Sequence, residues 1–256
     1  MRNKLTDELA VCGLKAALAL AEYHPQTINR LFLREDRFKM FTGVCKTLAE
    51  RKRPYKVCDN EELERLCKSV HHQGVVVMIE TPAIEPLTKE DLDFWVRERK
   101  TGLVLHEVGN DHNLGAIARA AAFFDVHFIV VNDNDKEARL STSAYRIAEG
   151  GMEHIVVRKI SNTAAFLRDA AKQLVVIGTD VRARQRIGDL AAIVKERVKG
   201  FGRPGIALAL GNEETGLPAA VKDRCTCLLR IPGTGYIESL NVAQAAALFL
   251  REIYDL

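Results

Sequence analysis

Ile231-Pro-Gly-Thr-Gly-Tyr-Ile-Glu-Ser-Leu-Asn-Val242 runs straight into Ala243-Gln-Ala-Ala-Ala-Leu-Phe-Leu-Arg251. A strand ending at Leu228–Ile231 meets a Pro/Gly loop, which closes in a polar Glu-Ser-Leu-Asn box. An Ala-rich helix, expected over Ser239–Tyr254, begins inside that box. Ser239 is the expected N-cap, because its hydroxyl can accept from an orphan N–H of the first turn. An apolar helix that starts beside a glycine loop cradles polar ligands well, although the same pattern also serves ordinary helix starts.

Two further strand–loop–helix units precede it. Gly205-Ile-Ala-Leu-Ala-Leu-Gly-Asn-Glu-Glu-Thr-Gly-Leu217 is an apolar strand running into Gly-Asn-Glu, with Pro218 placed to open a helix over Leu217–Arg224. Leu103-Val-Leu-His-Glu-Val108 leads through a polar loop into Asn113-Leu-Gly-Ala-Ile-Ala-Arg119 and on to Phe124. Taken together and in this order, the three units resemble the signature motifs of the SpoU (TrmH-like) family of RNA ribose 2′-O-methyltransferases. That class of α/β enzyme carries a deep trefoil knot.

The bulk numbers fit a two-domain globular chain. The 256 residues carry a net charge of +3, and no apolar run reaches the roughly 18–20 residues of a membrane span. The opening residues hold no apolar signal-peptide core. Six cysteines, at 12, 45, 58, 67, 225 and 227, show no C-x-x-C spacing, so reduced thiols in the cytoplasm are expected, with no metal site. Residues 1–80 hold 14 Lys and Arg against 11 Asp and Glu, whereas residues 81–256 hold 23 of each. The positive excess, including Arg51-Lys52-Arg53, therefore lies in the N-terminal part, although such runs are usually solvated helix ends.

Residues 1–80 read as a small α/β domain. Helices are expected at Gly13–Tyr23, Arg37–Glu50 and Asn60–Cys67, and strands at Ile28–Leu33, Tyr55–Val57 and Gly74–Ile79. Its two ends are similar to those of the L30e-like substrate-binding domain that many SpoU enzymes carry. By that resemblance the His71-His-Gln-Gly stretch faces RNA; read from the residues alone it is equally a structural turn. Residues 81–101, with Pro82, Pro86 and a charged helix at Lys89–Lys100, read as a linker, with Trp95 covering the surface of the following domain. From residue 102 to 256, Val/Ile-rich strands alternate with helices, which means a parallel sheet covered on both faces. The knot follows from the resemblance alone, since periodicity shows none.

The resemblance further implies S-adenosyl-L-methionine, bent in the knot and held largely by backbone. The matching positions are Gly178-Thr179, Leu210-Gly211-Asn212, and Ile231 with Ser239-Leu240. It implies Arg119 as the catalytic Arg with Asn113 six residues before it, Glu213 orienting loop and helix groups around the site, Asn241 near the 2′-oxygen, Ser239 as both cap and site residue, and a homodimer formed through knot helices. On the residues alone, Leu210, Ile231 and Leu240 fit a core role as well as a cofactor wall. No Gly-x-Gly-x-x-Gly or Walker A run is present, and Ser239 lies in no Gly-x-Ser-x-Gly elbow. Three departures stand out. The usual Asp-Pro-x-Asn reads Asp111-His112-Asn113, the Gly after the motif-1 helix is Asp125, and a Ser-Ala-Gly-Ala stretch reads Ile147-Ala-Glu149-Gly-Gly. They put substrate fit in question and leave a non-catalytic RNA-binding relative as the alternative.

Overall fold

The computed structural model describes residues 2–3, 8–134, 136–197 and 203–256. Most of the opening stretch read for targeting signals lies outside the described residues. The chain divides into two compact units, residues 1–83 with 139–154, and residues 84–138 with 155–256.

The first unit is built on β1 (Arg2–Asn3), β2 (Glu8–Cys12), α1 (Leu14–Tyr23), β3 (Ile28–Leu33), α2 (Thr42–Glu50), β4 (Tyr55–Val57), α3 (Asn60–Cys67) and β5 (Val75–Glu80). The strands lie in the order β1-β2-β5-β3-β4, with β3 and β4 parallel and the other pairs antiparallel. Two corrections apply. The stretch expected as one helix from Arg37 is a 3₁₀ segment, Glu35–Phe41, followed by α2, and the Thr42 hydroxyl donates to the Lys39 carbonyl at their junction. Strand β2, buried along its length, was hidden in a stretch read only as a domain edge. Helix α3 starts at an Asx cap, where Asp59 accepts from Glu62 N at 2.8 Å. Ala10, Cys12, Leu63, Cys67, Val76 and Met78 form its core against the sheet.

The second unit opens with β6 (Glu85–Pro86), α4 (Lys89–Arg97), β7 (Thr101–Leu105), α5 (Asp111–Phe123) and β8 (Val126–Asn132). Helix α6 (Thr142–Ala148) and a 3₁₀ turn at Gly151–His154 follow in the chain but belong to the first unit, where α6 packs on β2. The second unit resumes with β9 (Val156–Ile160), α7 (Thr163–Ala170), β10 (Val175–Thr179), β11 (Gln185–Arg186), α8 (Leu190–Arg197), β12 (Ile206–Leu210), α9 (Ala219–Lys222), β13 (Cys227–Arg230) and α10 (Val242–Tyr254). Its sheet runs β11-β13-β10-β12-β7-β8-β9-β6, with all pairs parallel. The expected mixed α/β fold with a parallel sheet is therefore present.

The stretch 81–101 is not a linker beyond residue 84. Strand β6 pairs with β9, and α4 is a layer of the second unit. Trp95, expected to cover this domain, is part of its core. It is fully buried, stacked on Phe128 at 5.2 Å between ring centroids, with its indole N–H donating to the carbonyls of Lys100 (3.0 Å) and Ile206 (3.1 Å). A buried indole needs such a partner, and Gly102 makes room for it, because a Cβ there would lie 2.2 Å from the ring. The linker reading failed because charged residues occupy the outer face of α4 and mask one apolar stripe.

Two of the departures fall at helix ends in the left-handed region. Asp125 has φ +53° just after α5, and Glu149 has φ +47° just after α6. The backbone conformation that glycine would supply is thus kept by residues that adopt it at a cost of about 1 kcal/mol. Each also makes an ion pair, Asp125 with Lys100 and Glu149 with Lys15.

Trp95→Ala is expected to destabilise the second unit by roughly 3–5 kcal/mol through the cavity it leaves. Denaturant unfolding followed by far-UV circular dichroism measures this, and a loss under 1 kcal/mol would show that Trp95 is not a core anchor.

Candidate active site

Order reverses at the centre of the parallel sheet. From β7 the chain moves outward through β8 and β9, whereas β12 and β10 lie on its other side. In such sheets ligands bind beyond the carboxyl ends of the strands at this switch point. The register brings those ends level, with Leu105 opposite Leu210 and His106 N continuing the ladder to Leu210 O at 2.9 Å. The loops after β7 and β12 therefore leave side by side.

These loops, together with the start of α10, bring three of the expected residues together. Asn113 lies in the first turn of α5, whose cap is Asn110, accepting from His112 N at 2.8 Å. Asn113 Nδ2 donates to Glu213 Oε1, and Asn113 Oδ1 accepts from Asn241 Nδ2 at 3.0 Å. Asn241 Oδ1 in turn accepts from Ala243 N at 2.9 Å. A continuous chain of side chains thus runs from the start of α10 to the loop after β12, and both carboxamides are held in one orientation. The second N–H of each carboxamide and Glu213 Oε2 lie outside this chain of bonds and can meet a polar ligand.

The cap of α10 is Asn241, not Ser239. The buried stripe of this helix begins at Val242 and continues through Ala243, Ala246, Phe249, Leu250 and Ile253. Packing therefore sets the start three residues after Ser239, which stays in the exposed loop with Leu240. Helix α9 likewise starts at Ala219 with Pro218 as its cap, one position outside the expected place. Arg119 is exposed on α5. Six residues beyond Asn113, it lies about 9 Å further along the axis and on a different face of the helix.

The remaining expected positions line the carboxyl ends of β10, β12 and β13. Gly178 and Leu210 are buried. Gly178 has no room for a side chain, since a Cβ would lie 2.6 Å from Cys225 Sγ. Gly211 is tighter still, with a Cβ placed 2.2 Å from the Gly216 carbonyl carbon, because residues 212 and 216 bridge to close the loop. The Thr179 hydroxyl donates to Ala209 O at 3.3 Å. The Asn212 side chain is a loop brace, accepting from Glu214 N and Thr215 N while donating to Glu107 O at 2.9 Å. Ile231 is half-buried, and the loop beyond it exposes Tyr236 (92%) and Ile237 (70%). Close main-chain turns beside uncovered apolar side chains suit a ligand with a planar apolar ring and polar edges, as S-adenosylmethionine has.

Behind the site lies a buried polar cluster that the sequence did not mark. Glu137 is only 6% exposed, and its Oε1 accepts from Glu107 N at 2.6 Å. Burial pushes its carboxyl up to about 7, against the pull of the Glu107, Asn132 and Val108 amides. Nearby, His106 Nδ1 meets Thr163 Oγ1 at 3.0 Å and Asn132 Nδ2 at 3.2 Å, and burial lowers its pKa. In sequence, Glu137 closes the run Asn132-Asp-Asn-Asp-Lys-Glu, which reads as solvated charge.

In the first unit, His72 and Gln73 serve the backbone. His72 Nδ1 accepts from Gly74 N at 3.0 Å, and Gln73 Oε1 accepts from Leu14 N at 2.8 Å. Beside them is a cleft of about 490 Å³ lined by Lys15, Arg34, Arg37, Asn60 and Glu64.

Residues 100–251 match the model of the SpoU rRNA Methylase family, and residues 10–84 match the model for RNA 2′-O ribose methyltransferase substrate binding. The chain belongs to the SpoU methylase family. It is an S-adenosylmethionine-dependent RNA 2′-O-methyltransferase. Among relatives of this SpoU member, the 23S rRNA (guanosine-2′-O-)-methyltransferase RlmB of Nitrosomonas europaea is 29% identical over 98% of this chain and 92% of its own. The Pseudomonas aeruginosa protein of the same name is 32% identical over 95% and 94%. The S-adenosylmethionine-bound rRNA methyltransferase from Sinorhizobium meliloti shares the fold, with a TM-score of 0.74 and 22% identity over 97% of this chain and 87% of its own. Among the described residues, no helix is long and apolar enough to cross a membrane.

The Glu137 carboxyl gives this SpoU protein a pH signature. Its folded value, about 7, lies above the ordinary 4.5, so the folded state keeps a proton that the unfolded chain releases. That contribution to stability is complete below about pH 4.5 and is lost as pH rises through 7. Glu137→Gln has no such loss, so between pH 5 and 8 it should gain on the order of 2 kcal/mol relative to the parent in urea unfolding. A difference independent of pH would show that Glu137 is ionised throughout.

Proposed function

We propose that this chain methylates a guanosine ribose 2′-hydroxyl in large-subunit ribosomal RNA, and that Arg119, Asn113, Glu213, Ser239 and Asn241 carry the step. The bonded series Asn241–Asn113–Glu213 at the switch point is the observation that carries this reading. The target class is supported by relatives named for 23S rRNA guanosine methylation that align over nearly the whole chain.

S-adenosylmethionine supplies the methyl group, activated on a sulfonium. Gly178-Thr179, Leu210-Gly211-Asn212, Ile231 and Ser239-Leu240 hold it, mainly by main chain. What remains for the protein is to orient the acceptor ribose and to stabilise the charge that develops on its 2′-oxygen. Asn113 and Asn241, with carboxamides fixed in direction, present N–H groups to that oxygen, and Glu213 keeps Asn113 from rotating. A guanidinium carries N–H donors and no acceptor, so Arg119 serves as a donor and not as a base. It grips the phosphate next to the ribose and polarises the 2′-hydroxyl, whose proton leaves to phosphate or water. The first unit grips the RNA through its cleft.

The second unit carries the family's deep trefoil knot, and the enzyme acts in the cytoplasm as a homodimer. Support for the dimer comes from Phe123, Leu248 and Tyr254, large apolar side chains left exposed on the paired helices α5 and α10.

Arg119→Ala should lower methyl transfer at least a hundredfold, on the order of removing one charge-stabilising donor, while calorimetry shows S-adenosylmethionine binding within about twofold. Persistent methylation in the mutant would remove Arg119 from the mechanism. Leu248→Glu should shift the protein to a monomer in sedimentation equilibrium, and a monomeric parent protein would refute the dimer.

A further inference from the structure

Glu107 lies in the turn between β7 and α5 with φ +57°, a left-handed conformation that a side chain with a Cβ adopts only under strain. Two side chains from two other loops hold its backbone there. Glu137, beyond β8, accepts from its N–H at 2.6 Å, and Asn212, beyond β12, donates to its C=O at 2.9 Å. The same turn is pinned to the Glu137 loop by Ala138 N donating to Val108 O at 2.8 Å. Gly109 approaches that loop so closely that a Cβ would lie 2.7 Å from Lys136 O. Three residues after Glu107 comes Asn110, the cap of α5, and three after that Asn113. Glu137 is an awkward structural group, because only its Oε1 makes a close hydrogen bond, while Oε2 is buried without a well-formed one even though the Asn132 and Val108 amides also pull on the carboxyl. A half-satisfied buried carboxylate is costly, and a core role alone would favour an apolar residue.

We propose that Glu137 is a positioning residue for methyl transfer: with Asn212 it clamps the Glu107 backbone in its left-handed turn and so sets Asn113 against Glu213. The two loops of the switch point are thereby fixed to each other by one strained peptide. This rests on the assignment of the reaction to the Asn241–Asn113–Glu213 series.

Three variants test it in steady-state methylation: Glu137→Ala, Glu137→Gln and the double Glu107→Gly/Glu137→Ala. Loss of the clamp should lower kcat by roughly tenfold to a hundredfold, the scale of a misplaced reacting group, with KM for RNA within about twofold. Gln still offers an acceptor to Glu107 N–H and should keep kcat within about threefold. Glycine adopts the left-handed turn without help, so Glu107→Gly should restore most of the turnover lost in Glu137→Ala. A folded Glu137→Ala protein with parental kcat, or a folded double variant as slow as the single, overturns the proposal. If Glu137→Ala alone does not fold, the double variant must recover both fold and turnover, and its failure to do so overturns it as well. Asn113→Ala separates the two levels: full activity there sinks the assignment of the reaction, whereas rescue by glycine at 107 speaks only to the clamp.

Discussion

The parallel pairing of β7 with β12 is the constraint on which the site depends. These strands adjoin in the sheet although about a hundred residues separate them, and their ladder runs from Thr101 opposite Ile206 to Leu105 opposite Leu210. Because the carboxyl ends are level, the turn into α5 and the turn carrying Glu213 emerge as neighbours. A one-residue slip would turn every side chain of either strand to the other face and part the two turns. The slip is resisted by burial on both faces and by Trp95, whose indole reaches the Ile206 carbonyl across the beginning of β12. A core residue on α4 thus helps keep two loops in register at the opposite end of the strands.

The site mixes rigid and open parts. The Asn241–Asn113–Glu213 series and the Gly211 turn are tightly determined, by reciprocal hydrogen bonds in one case and by a lack of room for any side chain in the other. The loop over residues 232–240 is different, with all its residues exposed, aromatic and aliphatic ones included. Polar groups that must be aimed are built into the frame, whereas the apolar surface that can only be covered by something else is carried on a segment without regular structure. Such a division suits a ligand that is aimed by main chain and covered by a loop.

Much of this was legible in the chain. Alternating Val/Ile runs and helical stripes marked the parallel sheet, and the three strand–loop–helix units pointed to the residues that the fold brings together at the switch point. What escaped had physical reasons. Strands β6 and β11 are two residues long and carry no periodicity. Trp95 sat in a segment whose charges outnumber its apolar residues, so only three-dimensional packing shows which face wins. Ser239 matched the local cap preference, yet the buried stripe of α10 begins later, and tertiary packing overrode propensity. Glu137 and Glu107 lie in polar stretches where nothing distinguishes a buried carboxylate or a strained peptide from ordinary solvated loop.

Helix α6 and the turn after it belong to the first unit although strands of the second flank them in the chain. The backbone therefore crosses between the units three times rather than once. A fragment ending at residue 83 lacks the helix that packs on β2, so cutting there leaves an apolar strand face uncovered. During synthesis the same arrangement imposes an order. The amino-terminal unit cannot complete its packing until residue 154 has left the ribosome, by which time the first strands of the second unit have already emerged. Neither unit is a bead that folds before the other begins, and an assembly interrupted between residues 84 and 154 would expose parts of both.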